Sequence, residues 1–165
     1  MSSSDRRLFL AFLAGLPLAA CGFRPAYGPG APARALFDAV AVDAPDNKND
    51  FDFVERIEER IGRPQQARFR LSYAISITTE ALAIRRTNAI TRYRLHGTVR
   101  YELRRSDGTK AIAADKVSSF TAYSASGTSI ATAASRDDAA TRLMRLLADQ
   151  VVTELVASAE RWGVA

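Results

Sequence analysis

Arg68-Phe69-Arg70-Leu71-Ser72-Tyr73-Ala74-Ile75-Ser76-Ile77-Thr78 alternates between apolar and polar side chains. Successive side chains of a strand point to opposite faces, so Phe69, Leu71, Tyr73, Ile75 and Ile77 share an apolar face and the even-numbered residues a polar one. Residues 92–104 repeat the pattern: Tyr93, Leu95, Gly97, Val99, Tyr101 and Leu103 alternate with Arg92, Arg94, His96, Thr98, Arg100, Glu102 and Arg104. Two long strands of this kind need cover on one side only. Asp107-Gly108 is a strong hairpin signal and leads to a further strand near residues 111–124. There the alternation is imperfect: Val117 and Phe120 cannot both face the core without a bulge.

The flanking elements supply the cover. Residues 35–44, with Leu36, Val40 and Val42, predict a short strand. The polar run Asp46–Asp50 is a turn rich in capping side chains. Phe53, Val54, Ile57 and Ile61 then recur at helical spacing among charged residues, an amphipathic helix of about three turns ended by Gly62 and Pro64. A second helix starts at Ser129 or Ser135 and runs to Arg161, with Ala140, Leu143, Leu147, Val151 and Leu155 as its stripe. Ser135 with Asp138 forms a candidate capping box, and Gly163 a candidate stop. The order β-α-β-β-β-α predicts an α+β two-layer sandwich, in which two helices cover one face of a four-stranded mixed sheet.

Upstream of the domain, Arg6 and Arg7 precede an apolar stretch from Leu8 to Leu18, then Ala19, Ala20 and Cys21, the single cysteine. This order reads as a secretory signal, and the stretch is too short to cross a hydrocarbon core of about 30 Å. The chain therefore divides into a signal peptide at 1–20, a Pro/Gly-rich tether at 21–34 and one domain at 35–165. Leu18-Ala19-Ala20-Cys21 resembles the bacterial lipobox, whose cysteine is lipidated and becomes the mature N-terminus. The alternative is a lone buried cysteine beside an ordinary signal. Arg6-Arg7 also resembles a twin-arginine export signal, and the export route stays open. A lipobox cysteine normally carries three acyl chains, and two or more already anchor stably. Gly22 stands where an aspartate would retain such a protein at the inner membrane, so the implied destination is the periplasmic leaflet of the outer membrane.

Net charge is +5, and twenty of the 23 basic residues are arginine. Such a bias suits bidentate phosphate recognition and equally a GC-rich genome. Outside the cytoplasm nucleic acid is not a partner, which leaves anionic lipid or glycolipid. Catalytic chemistry is not indicated. His96 is the only histidine and lies on the polar face of its strand, too little for a zinc site. Asp50, Asp52, Glu55, Glu58 and Glu59 read as a solvated helix face, and no phosphate loop or nucleophile elbow occurs. Neither enzyme activity, metal nor cofactor is expected. Tyr73, Tyr93 and Tyr101 read as core residues with hydroxyls at an edge.

The arginine row is the candidate contact surface. Arg92, Arg94, Arg100 and Arg104 share one face with the matching Arg68 and Arg70 of the preceding strand. If the loop around Arg85 and Arg86 joins the strands antiparallel, Arg70 falls near Glu102 and Arg94 near Glu80. Exposed cross-strand pairs of that kind contribute about 0.2–1 kcal/mol. Arginines outnumber these carboxylates, so Arg85, Arg86, Arg92 and Arg94 are the candidates for contact with a ligand or partner.

Cys21-Gly22-Phe23-Arg24-Pro25-Ala26-Tyr27-Gly28 resembles the start of mature lipoproteins of the LptE family. Mature length, element order and a closing helix that opens in Ser- and Ala-rich sequence agree with it. The resemblance implies a non-enzymatic role: occupying the lumen of an outer-membrane barrel of the LptD type, helping it assemble and delivering lipopolysaccharide to the cell surface. The arginines would then meet lipid A phosphates or barrel carboxylates, and direct binding of lipopolysaccharide stays open. The alternative is a stand-alone periplasmic lipid- or ligand-binding lipoprotein, which needs an internal apolar cavity.

Overall fold

The two alternating segments form antiparallel strands β2 (Phe69–Ile84) and β3 (Ile90–Arg105) in a computed structural model that describes residues 28, 31–84, 90–125 and 128–162. Their register pairs Tyr73 with Tyr101, Ile75 with Val99 and Ile77 with Gly97, so both apolar faces coincide. The short β1 (Val40–Val42) runs parallel to β2, and β4 (Ala111–Ser124) runs antiparallel to β3. The sheet order is β1-β2-β3-β4, and it is mixed. Helix α1 (Lys48–Ile61) makes the crossover from β1 to β2, and α2 (Ser129–Ser158) follows β4. The predicted β-α-β-β-β-α sandwich is the fold observed.

Local chemistry sets the element ends, and several differ from expectation. The strand predicted at 35–44 shrinks to three residues because a single-turn 3-10 helix, Pro32–Leu36, precedes it. Proline is at home in a first helical turn, so the Pro/Gly run extending to residue 34 does not exclude a turn that buries Ala33 and Leu36. Helix α1 has fourteen residues, nearer four turns than three. The Asn47 side chain accepts from the backbone N–H groups of Asn49 at 3.0 Å and Asp50 at 3.2 Å. Gly62 ends the helix at φ 82°, where a β-carbon would lie 1.9 Å from Asp38 Oδ1.

Helix α2 starts at Ser129 with Thr128 as its cap, the hydroxyl accepting from Ala131 N–H at 3.2 Å. The capping box at Ser135 is therefore not formed; Ser135 lies inside the helix and donates to the Ala131 carbonyl at 2.9 Å. After Ser158 one 3-10 turn, Ala159–Trp162, completes the described chain, and Gly163 lies outside it. The bulge between Val117 and Phe120 is also absent. Pairing with β3 is regular from Arg92–Ser124 to Leu103–Ala113, and the two residues face opposite sides of the sheet. Val117 and Tyr123 are buried, whereas Phe120 is 61% exposed.

Both helices cover the odd-numbered face of the sheet. Phe53, Ile57 and Ile61 of α1 and Leu143, Met144, Leu147, Val151 and Leu155 of α2 are buried against Leu71, Leu95, Val99, Tyr101 and Leu103. The Phe53 and Tyr73 rings meet at 5.0 Å. Gly97 lets α2 approach closely: a β-carbon there would lie 2.8 Å from Leu147 Cδ1 and 3.0 Å from Leu143 Cδ2. The helices run side by side in the same direction, with Asp52 accepting from Thr141 at 2.7 Å and Arg56 bridging to Asp149 at 3.0 and 3.1 Å.

Candidate functional site

A sheet covered on one side leaves the other to solvent, and here that open face carries the even-numbered residues of β2, β3 and β4. Across the three strands the rows read Ala74–Arg100–Lys116, Ser76–Thr98–Ser118, Thr78–His96–Phe120 and Glu80–Arg94–Ala122. The antiparallel registers thus bring arginine, lysine and one exposed ring onto a single surface. Arg100 lies between Ala74 and Lys116, with no carboxylate directly opposite on either neighbouring strand. A depression of about 610 Å³, open to solvent, is lined here by Ser72, Ala74, Arg100, Glu102 and Lys116. In the next row the Thr98 and Ser118 hydroxyls lie 3.1 Å apart.

The candidate residues sort into three states. Cys21, Arg85 and Arg86 lie outside the described residues. Arg92 is exposed at the distal end of β3, opposite Ser124. Arg94 is held more firmly: its guanidinium lies 3.6 Å from Glu80 and 5.1 Å from the Phe120 ring centroid, with its Nε buried and unpartnered. The expected Arg94–Glu80 pair is therefore present. The expected neighbour of Arg70 is not, because the register pairs Arg70 with Arg104 and Ser72 with Glu102. Arg70 turns instead to Asp43 of the β1 side at 3.6 Å, and Glu102 is taken by Arg104 on its own strand.

Two members of this surface escape a reading of the arginines alone, Phe120 and Lys116. The parity of β4 holds the signal for both: once Val117 is placed inward, every even-numbered residue from 116 to 122 faces outward. The tyrosines do belong to the covered side. Tyr101 is buried, Tyr73 is half-buried, and Tyr93 stacks on Tyr123 at 5.2 Å. Burial, with Asp115 and Glu154 adding to it and Arg161 opposing, pushes the Tyr101 phenol up to about 12. Burial and the carboxylates Asp50, Asp46 and Asp43 push Tyr73 up to about 12 as well.

Exposed cations and one ring on a sheet face are groups that can bind an anionic partner. Among the described residues no helix is long and apolar enough to cross a membrane.

Comparison with known proteins points the same way. The model of a family described as lipopolysaccharide-assembly matches residues 37–155. Among solved structures, a protein from Caulobacter crescentus described as a lipoprotein superimposes with a TM-score of 0.65 at 14% identity, over 78% of this chain and 96% of that one. Rare lipoprotein B from Shewanella oneidensis gives 0.56 at 16% identity, over 74% and 95%. A minor lipoprotein from Acinetobacter baumannii gives 0.55 at 12% identity, over 73% and 90%. At these identities the likeness shows a shared fold. No curated protein matches the chain significantly.

Proposed function

The chain belongs to the LptE family of lipopolysaccharide assembly, and on that premise we propose that it is an outer-membrane lipoprotein that plugs a β-barrel of the LptD type. In this reading residues 1–20 are removed, Cys21 is acylated and residues 21–34 tether the single domain, 35–165, to the periplasmic leaflet. The protein acts through its surface, without catalysis.

One observation carries the reading: a wide polar sheet face, rich in arginine, that neither helix covers. Large outer-membrane barrels have polar lumens, and a domain whose outer sheet face is polar can occupy one without burying an unmatched apolar surface. Arg92 is exposed and forms no ion pair among the described residues, and Arg94 presents a guanidinium already oriented by Glu80 and Phe120. Together with Arg85 and Arg86 they are the proposed contacts to barrel carboxylates or lipopolysaccharide phosphates, where guanidinium forms bidentate hydrogen bonds.

The test is co-purification of the tagged, acylated chain after extraction in mild detergent. A β-barrel and lipopolysaccharide should be recovered with it. Arg92→Glu with Arg94→Glu should reduce that recovery while circular dichroism stays unchanged. A chain that always purifies alone, and whose depletion leaves surface lipopolysaccharide intact, overturns the proposal and favours the stand-alone carrier.

A further inference from the structure

The lower pole of the domain is where the described chain begins, where β2 starts, β3 ends and both helices finish. Short contacts hold it together. Arg68 donates to the Ala35 carbonyl at 2.6 Å, Asp38 N–H to the Ile61 carbonyl at 2.8 Å, and Ser106 N–H to the Arg68 carbonyl at 2.9 Å. Segments 31–39, 61–70, 104–114 and 155–162 make up this pole. They carry eight basic and three acidic side chains, a net +5. The whole chain is also +5, so all other residues together are neutral.

Arg63, Arg70 and Arg104 are engaged by Glu58, Asp43 and Glu102. Arg34, Arg68, Arg105, Lys110 and Arg161 are exposed and form no ion pair among the described residues. Arg68 and Arg105 lie over the buried Phe69 ring at 5.7 and 6.0 Å, which fixes both guanidinium groups at the pole. Trp162, the single tryptophan, is half-buried beside Arg161. On the β4 side Asp115 and Glu154 bound the patch.

We infer that, before the domain is seated in a barrel, this pole docks on the anionic phospholipid headgroups of the leaflet that holds the protein's acyl chains. The inference rests on the proposed acylation of Cys21. The ten Cα–Cα steps from Cys21 to Ala31 span at most about 35 Å, so the anchor keeps this end of the domain close to the bilayer surface. There the free cations meet charge of opposite sign within the screening length of about 8–10 Å, and a tryptophan at the rim suits the headgroup region. Docking here leaves the open sheet face, which runs upward from the pole, free for a partner.

Trp162 is a built-in reporter. The acylated full-length mature protein is reconstituted into phosphatidylcholine vesicles with or without phosphatidylglycerol, each doped with headgroup-spin-labelled lipid. Trp162 quenching should be stronger in the anionic vesicles. High salt should remove the excess, as should Arg105→Gln with Lys110→Gln; Arg92→Gln with Arg94→Gln should not. Protein that floats with the vesicles but shows equal quenching in both, or an excess indifferent to the Arg105 and Lys110 changes, overturns the inference alone. Protein that floats with neither is not acylated, and then the anchor and this inference fall together.

Discussion

A methyl group at residue 97 has nowhere to go. Gly97 lies on the covered face beneath α2, and the Leu143 and Leu147 side chains occupy the space a β-carbon would need. Both leucines are fully buried, so neither can swing into solvent. Gly97→Ala should therefore cost about 1–3 kcal/mol through overpacking, despite the better strand propensity of alanine. Urea denaturation checks this; a neutral or stabilising effect would mean that α2 does not seat on β3 as described. Phe120 is the residue-scale counterpart on the open face, an aromatic ring that periodicity alone could draw into the core and the observed register puts outside against Arg94.

Helices and strands owe their places to stripes of unequal value. Leu147 sits mid-way along the buried side of α2, completely inaccessible to solvent. Ile75 occupies the covered face of β2 with the same regularity, yet it stays half-buried. Leu147→Ala should cost about 2–5 kcal/mol, while Ile75→Ala should stay under about 2 kcal/mol because less surface leaves water on folding. Equal losses in thermal or chemical denaturation would show that burial on β2 is deeper than described. The existence and type of each main element were legible from periods of two and 3.6. Their ends were less so, since the cap at Thr128 and the proline-led 3-10 turn depend on backbone geometry that no apolar pattern reports.

At the scale of the molecule, polarity runs from pole to pole. The end nearest residue 31 holds the net positive charge, and the far end is where β2 stops and β3 starts. Acylation at Cys21 would turn that internal asymmetry into an orientation relative to a membrane. Cys21→Ser should leave an uncleaved precursor that lacks the mass of the acyl chains, read by mass spectrometry of the membrane fraction. A normally cleaved, unmodified protein would remove the anchor from the account.

The sequence by itself determined the element order, the covered and open faces of β2 and β3, and the membership of the arginine row, because side-chain periodicity is a local property of the backbone. It also held the feature on which the proposed membrane attachment rests, Cys21 behind Leu18-Ala19-Ala20. The Arg94–Glu80 pair across the ladder was already legible in the sequence, whereas only the tertiary structure decided that the register separates Arg70 from Glu102 and sends it to Asp43. It alone gathered Arg34, Arg68, Arg105, Lys110 and Arg161, drawn from four separate stretches of chain, onto one pole. The physical reason is range. A face follows from neighbours two or four residues apart, whereas a charge cluster follows from where distant ends meet, and those ends meet where the sheet and both helices stop.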